Sequence, residues 1–402
     1  MWFIALASAI AAAVYIQYII YKKKGFSDLT YTVSFGADEV ACGDYIYLYE
    51  KIVNNKKITL PFVKVDTDLP EGLEFTLIEN IEGSKVKKIK KIGRVQSVFI
   101  LRPGTQIERR WRVYCARRGE YKLDGAIMVI TDLLGLTQMS KRVELTTNEK
   151  TSLTVLPTPV DLNENYASSR YLSGDVISDR CLTSDPQRLC GVREYTIYDP
   201  MSKINWKSTA AHSHLMVNLE EKVVRHSFSV ILNMNSRLTE RWADDLVDRG
   251  AVERGISVCA AIFNSACELE VPIRFFCNTD VDEHKLMLGA DRADDTEIGS
   301  QILSTRNFRG KRDLLYGLRI LSAIKPKISV PAEKMLDYIL ANIDEYRDNE
   351  NFVIVTPYLD QRMINYHAIM KRQGIDVIFY VTSGRVDVAQ YPENIEIYYK
   401  TY

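Results

Sequence analysis

The side chains best suited to chemistry or recognition are concentrated in one stretch, GVREYTIYDPMSKINWKSTAAHSHLMVNLEE, from Gly191 to Glu221. Arg193, Glu194, Tyr195, Asp199, Asn205, Trp206, Lys207 and Thr209 give it a mixture of charge, amide and aromatic surface. An Arg and an Asp at this short separation can close a loop through two parallel hydrogen bonds. Trp and Arg are also the usual anchors of protein interfaces. Two uses are open: Trp206 packs between domains while Arg193 and Asp199 fix the loop, or the segment presents a docking surface.

Other constellations are weaker. His212 and His214 stand two apart; on a strand they would face one side and form half a metal site. No Cys or carboxylate cluster accompanies them, so they read as polar loop or strand residues. The acidic pairs Asp244-Asp245 and Asp294-Asp295 read as solvated surface. There is no Gly-x-x-x-x-Gly-Lys-Ser/Thr loop, no Gly-x-Gly-x-x-Gly and no Gly-x-Ser-x-Gly; Gly250-x-x-x-x-Gly255 lacks the following Lys. A hydrolase or transferase would rest on the charged segment alone, so the chain reads as non-enzymatic.

The elements that position this segment follow from patterning. Before it, YTVSF at Tyr31–Phe35, YIYLYEKIVN at Tyr45–Asn54, RRWRVYCARRG at Arg109–Gly119 and TSLTVLP at Thr151–Pro157 are short runs separated by turn residues. Such spacing without a helical period predicts an antiparallel β-sandwich over 25–157. A polar, Ser- and Asp-rich connection then carries the charged stretch, over 158–225. From 226 to 402 strand and helix alternate: SFSVIL (Ser227–Leu232), IRFFC (Ile273–Cys277), NFVIV (Asn351–Val355) and IDVIFYV (Ile375–Val381) are predominantly apolar runs. They suit a parallel α/β sheet covered on both faces. A helix is expected after the first of them, capped by Thr239 and opening at Glu240, with Trp242, Leu246, Ile256, Cys259, Phe263 and Cys267 near helical period. Further helices are expected near Lys311–Ile324, Ala332–Arg347 and Asp360–Gly374.

Trp2 to Tyr21 carry no charge, and Lys22, Lys23 and Lys24 follow at once. About 20 helical residues match a hydrocarbon core of about 30 Å. The positive charge follows the apolar run, so it predicts an uncleaved single-pass anchor over 1–24 with its N-terminus outside and the rest cytoplasmic. Seven cysteines, an odd number without Cys-x-x-Cys spacing, read as reduced thiols in that compartment. The balance of 52 basic and 52 acidic residues gives no reason to expect nucleic acid.

Gly191, Arg193, Glu194, Tyr195, Asp199, Ile204, Asn205, Trp206, Lys207, Thr209 and Ala210 match the signature of the bacterial "domain of unknown function 58" family, which the chain resembles. Arg117-Arg118-Gly119-Glu120-Tyr121 and Asp132-Leu133-Leu134-Gly135-Leu136 are similar to the sandwich preceding that signature. Tyr198 and Ala211 depart from it, standing where the family usually has Gly and Arg. The resemblance implies a C-terminal von Willebrand factor A-like (Rossmann-type) domain and partnership with a MoxR-type AAA+ ATPase, in protein remodelling or complex assembly. The metal-binding version of that domain needs Asp-x-Ser-x-Ser after its first strand. Here Asn233, Asn235 and Ser236 occupy a degenerate loop, and Arg237 puts a cation where a ligand hydroxyl belongs. Neither Mg²⁺ nor another divalent cation is therefore expected. The sequence reading is a membrane-anchored scaffold; its alternative is a metal-dependent, adhesion-type receptor.

Overall fold

With no charge to interrupt it, the N-terminal run forms one helix, α1 (Trp2–Lys24), whose three terminal lysines complement the helix dipole. At 1.5 Å per residue it is about 35 Å long, and it is long and apolar enough to cross a membrane, with its apolar length unburied by the rest of the chain. The computed structural model describes residues 2–68, 70–79, 87–91, 94–123, 125–136, 138–144, 150–162, 166–168, 182–224, 227–235, 248–293, 296–343, 350–382, 390–392 and 395–400. They fall into two units, Met1–Thr158 and Pro159–Tyr402.

The first unit is rich in β-sheet. One sheet has the order β1-β3-β8-β5-β6, formed by β1 (Leu29–Phe35), β3 (Tyr45–Asn54), β5 (Leu73–Glu79), β6 (Lys87–Lys91) and β8 (Thr105–Cys115). A second has the order β11-β10-β4-β7, formed by β4 (Leu60–Asp68), β7 (Arg94–Leu101), β10 (Ala126–Thr131) and β11 (Gln138–Val143). The short strands β2 (Glu39–Ala41), β9 (Gly119–Lys122) and β12 (Ser152–Leu156) make a third, in which β12 lies between the other two. Alternation decides the packing: on β3, Ile46, Leu48 and Ile52 point inward while Tyr45, Tyr47 and Tyr49 face solvent. The inward residues of the two larger sheets, Phe35, Phe75, Val63 and Phe99 among them, share one core. Glu50 is buried in that core, and its carboxylate accepts hydrogen bonds from Tyr31 Oη (2.9 Å), Ser97 Oγ (3.0 Å) and Trp111 Nε1 (3.1 Å). Three donors supply the partners that a buried carboxylate requires.

The second unit is built on an eight-stranded sheet of order β13-β22-β21-β20-β16-β17-β19-β18. Its strands are β13 (Tyr166–Ser168), β16 (Ser227–Leu232), β17 (Ile273–Cys277), β18 (Ala290–Arg292), β19 (Leu303–Thr305), β20 (Glu350–Thr356), β21 (Val377–Val381) and β22 (Glu396–Lys400). The five central strands, β22 to β17, are parallel, and the edges are antiparallel. Phe228, Val230 and Leu232 of β16 join one core with α3 (Arg249–Glu268) and α5 (Gly310–Ala323). Ile231 and the alternate residues of β20 and β21 join another with α6 (Ala332–Ala341) and α7 (Gln361–Arg372). Apolar runs without alternation are thus explained by helices on both faces. A short helix, α4 (Glu283–Met287), precedes β18. On α3, a Cβ at Gly255 would come 2.9 Å from Leu232 Cδ1, so glycine permits the helix to approach the sheet.

Several expectations meet these elements directly. The strands near 227, 273, 351 and 375 and the helices near 311, 332 and 361 are present, with Asp360 capping α7 through Met363 N. α3 opens at Arg249, with the Asp248 side chain accepting from Ala251 N. Ile256, Cys259, Phe263 and Cys267 are buried along it. Thr239, Glu240, Trp242 and Leu246, expected to begin that helix, lie outside the described residues, as do Asp244, Asp245, Asp294 and Asp295. Cys42, Cys115, Cys259, Cys267 and Cys277 are not in disulfides among the described residues.

The segment read as a connection is more regular than its polar composition suggests. Residues 182–224 contain two long antiparallel strands, β14 (Leu182–Glu194) and β15 (Met216–Val224), which form a two-stranded sheet. Between them lies α2 (Trp206–His212).

Candidate functional site

The charged and aromatic signature occupies the end of this two-stranded ribbon. Arg193, next to last in β14, extends its guanidinium to Asp199, with Nη1 to Oδ2 at 2.7 Å and Nη2 to Oδ1 at 2.5 Å. Asp199 Oδ2 also accepts from Thr196 N (2.8 Å) and Thr196 Oγ1 (2.7 Å), and Arg193 Nη1 donates to Glu194 O (3.0 Å). The bidentate pair therefore closes a turn over 194–199. These hydrogen bonds hold the Asp199 carboxyl well below the usual carboxylate range, the guanidinium contributing most. The pairing role expected of Arg193 and Asp199 is present in the geometry.

The next residues are fixed in the same local way. Asn205 caps α2, its Oδ1 accepting from Ser208 N (3.0 Å) while its Nδ2 donates to Asn218 Oδ1 (2.7 Å) on β15. Asn205 N donates to Met216 O (2.8 Å), and Thr209 Oγ1 accepts from Met216 N (3.0 Å). Tyr195 N donates to Leu215 O (2.8 Å). Asn205, Thr209 and Tyr195 thus bind the turn and helix to the ribbon and are half-buried, whereas Glu194 and Lys207 are exposed.

Trp206 follows the capping Asn205. It is the first residue of α2 and is 68% exposed. Ile197 (85%), Tyr198 (93%) and Met201 (70%) are exposed beside it in sequence. The reason is local: Asn205 and Thr209 direct the inner side of this two-turn helix to β15, leaving Trp206 and Lys207 on the outer side. Ile197 and Met201 escaped the sequence reading, and Tyr198 entered it only as a departure from the signature, although apolar residues flanking the Asp199 turn were a usable signal. His212 and His214 do not share a strand face. His212 ends α2 with Nδ1 3.0 Å from Ser208 O, and Ser213 adopts a left-handed conformation with φ of 60°.

The degenerate loop lies elsewhere, after the carboxyl end of β16. Asn233 is 2% exposed; its Nδ2 donates to Thr356 Oγ1 (3.1 Å) and its Oδ1 accepts from Asn235 N (2.9 Å). Asn278, which follows the neighbouring β17, donates through Nδ2 to Asn235 Oδ1 (2.6 Å) and Val330 O (3.1 Å) and accepts from Met234 N (2.9 Å). Register explains the meeting, because Leu232 and Cys277 are partners across parallel strands. Ser236 and Arg237 lie outside the described residues. Asn278 and Thr356 were not singled out from sequence. Their signal is position, since each stands at or just after the end of an apolar strand, as Asn233 does. Every side-chain oxygen named in this network is neutral and already accepts or donates within the protein, a poor donor set for a hard cation. Among the described residues no group of three or more His, Cys, Asp or Glu side chains converges as a metal site.

No protein-family model matches the chain, and no curated protein matches it. Segments of it are similar to solved structures. The CARDB domain of a Pyrococcus furiosus protein is 16% identical, with a TM-score of 0.18, over 32% of this chain and 92% of that one. Spo0M, a sporulation control protein from Bacillus subtilis, is 9% identical with a TM-score of 0.17, over 31% of this chain and 51% of that one. The major pilin SpaD from Corynebacterium diphtheriae is 11% identical with a TM-score of 0.21, over 28% of this chain and 34% of that one. Likeness at this level bears on neither the fold nor the function of this protein.

Proposed function

We propose that this protein is a membrane-anchored, non-catalytic interaction module whose docking surface is the ribbon end formed by Arg193 to Thr209. The observation that carries the reading is the combination of a locally fixed turn with outward-facing Trp206, Tyr198, Ile197 and Met201. Large exposed apolar and aromatic side chains on a preorganised support form an interface anchor, because ordering them on binding costs little entropy. In this reading α1 crosses the cell membrane with its N-terminus outside, leaving both units in the cytoplasm.

The partner in this proposal is a MoxR-type AAA+ ATPase, a choice that rests on the family resemblance of the Gly191–Ala210 motif. The second unit is read as a von Willebrand factor A-like domain that has lost its cation site. Its parallel central strands and the neutral asparagine network after β16 support that reading. The full chain in lipid nanodiscs should retain a purified MoxR-type ATPase in a nucleotide-dependent manner, and Trp206→Ala should reduce retention while leaving the chain folded. Retention unchanged by Trp206→Ala, or lost only because the chain unfolds, would overturn the docking role. Binding of a ligand that requires a divalent cation would favour the receptor alternative.

A further inference from the structure

The hairpin tip joining β10 to β11 carries Asp132-Leu133-Leu134-Gly135-Leu136, and its three leucines are 60%, 55% and 68% exposed. Consecutive exposed leucines on a surface otherwise well supplied with charge mark an interaction site. Two amides of the tip are bonded within it. Asp132 is buried and its Oδ1 accepts from Leu136 N (2.9 Å), while its carbonyl accepts from Gly135 N (3.2 Å). Gly135 supplies the positive φ, 72°, that the turn needs. A turn that satisfies its own amides loses less on leaving water.

Position identifies what covers it. Tyr21, in the last turn of α1, is buried in the core of the β-rich unit, and its hydroxyl donates to Thr59 O (2.8 Å) just before β4. Gly25 N donates to Tyr21 O (2.7 Å), and the buried Lys56 ammonium donates to Gly25 O. The end of the apolar helix is thereby held against one rim of the sheet β11-β10-β4-β7. The tip belongs to the same rim: a Cβ at Gly25 would come 3.2 Å from Met139 Cε, and Met139 is the second residue of β11. Phe62, paired with Thr131 immediately before the tip, is 42% exposed.

We infer that Leu133, Leu134 and Leu136, with Phe62 beside them, insert into the lipid interface where α1 leaves the bilayer, forming a second membrane contact of the β-rich unit. This rests on the reading of α1 as a membrane anchor. Leucine side chains gain by transfer into the acyl boundary, and the adjoining Lys22 to Lys24 suit the headgroup layer.

The test uses the full chain reconstituted in phosphatidylcholine vesicles, with and without lipids brominated on the acyl chains near the headgroup and near the bilayer centre. Three proteins are compared: the parent, Trp2→Phe, and Trp2→Phe with Leu134→Trp. The difference between parent and Trp2→Phe reports the anchor; the difference between the two variants reports the tip. The proposal expects Trp2 to be quenched, and the indole introduced at position 134 to be blue-shifted and quenched more by the shallow bromines than by the deep ones. Quenching of Trp2 with an unquenched, red-emitting indole at 134 overturns the insertion and leaves the anchor standing, with another protein or a second copy as the occupant of the tip. No quenching at either position overturns the anchor reading and this inference together. An unchanged circular dichroism spectrum of the double variant establishes that the tip substitution has not disturbed the unit.

Discussion

Two polar constellations in the same unit have opposite relations to solvent. After β16, Asn233, Asn235 and Asn278 close on one another and on Thr356, in a largely buried and uncharged network. At the ribbon end, Arg193 and Asp199 close on each other with full charges, and the surrounding Trp206, Tyr198 and Ile197 remain in water. The first arrangement spends its hydrogen bonds on holding three strand ends together. The second uses an ion pair to hold a turn and leaves large apolar side chains exposed. The loop that reads as a degenerate ligand site is closed by hydrogen bonds, whereas the ribbon end is the docking surface in our proposal.

Substitution can break this contrast from either side. The largest effect is expected from Asn278→Ala, which leaves Met234 N and Asn235 Oδ1 without their present partner inside the protein. Buried groups so orphaned cost about 3 kcal/mol together, to be read as a lower denaturation midpoint for the second unit. Trp206→Ala should leave that midpoint within about 0.5 kcal/mol of the parent, because the side chain is exposed. The same change should weaken partner affinity by about 2 kcal/mol, close to 30-fold in Kd, as measured by titration. Equal effects of Trp206→Ala on stability and affinity would erase the distinction.

Asn205→Ala is expected to act between these extremes. It removes the cap of α2 and the bond to Asn218, worth about 1 kcal/mol, and hydrogen exchange should quicken at Ser208 N before any global unfolding. Arg193→Lys should have the smallest effect on folding but a specific effect on titration, because an ammonium cannot reproduce the bidentate fork. Since the folded Asp199 carboxyl lies below its unfolded value of about 3.9, the pair's contribution is complete above that pH and disappears as pH falls through the depressed folded value. NMR titration should therefore find Asp199 ionised throughout pH 5 to 8 in the parent. In Arg193→Lys its midpoint should move up toward the ordinary range.

Much of the sheet architecture is legible because burial leaves a strong pattern. SFSVIL, IRFFC and IDVIFYV are apolar at consecutive positions, and each forms a central parallel strand of the larger sheet. YIYLYEKIVN alternates and is a strand with one buried face. The ribbon strands are less legible, since β14 and β15 form a two-stranded sheet on which Leu189, Val192 and Leu219 are exposed. Exposed apolar positions such as these leave no clean period to read. The exposure of Trp206 and the meeting of Asn233 with Asn278 depend on cap orientation and strand register, which a linear pattern does not carry. The leucines of the β10–β11 tip were visible as a motif, but their relation to α1 arises only when Met139 comes to Gly25.

The most direct test of the ribbon as a docking surface is hydrogen–deuterium exchange on the nanodisc-held chain, with and without the nucleotide-loaded MoxR-type ATPase. Protection confined to 195–209, abolished by Trp206→Ala while 233–235 and 278–280 exchange as in the free protein, is the result this account predicts. Protection centred on 233–235 and 278–280 that requires a divalent cation, with 195–209 unchanged, would contradict it and assign recognition to the strand ends.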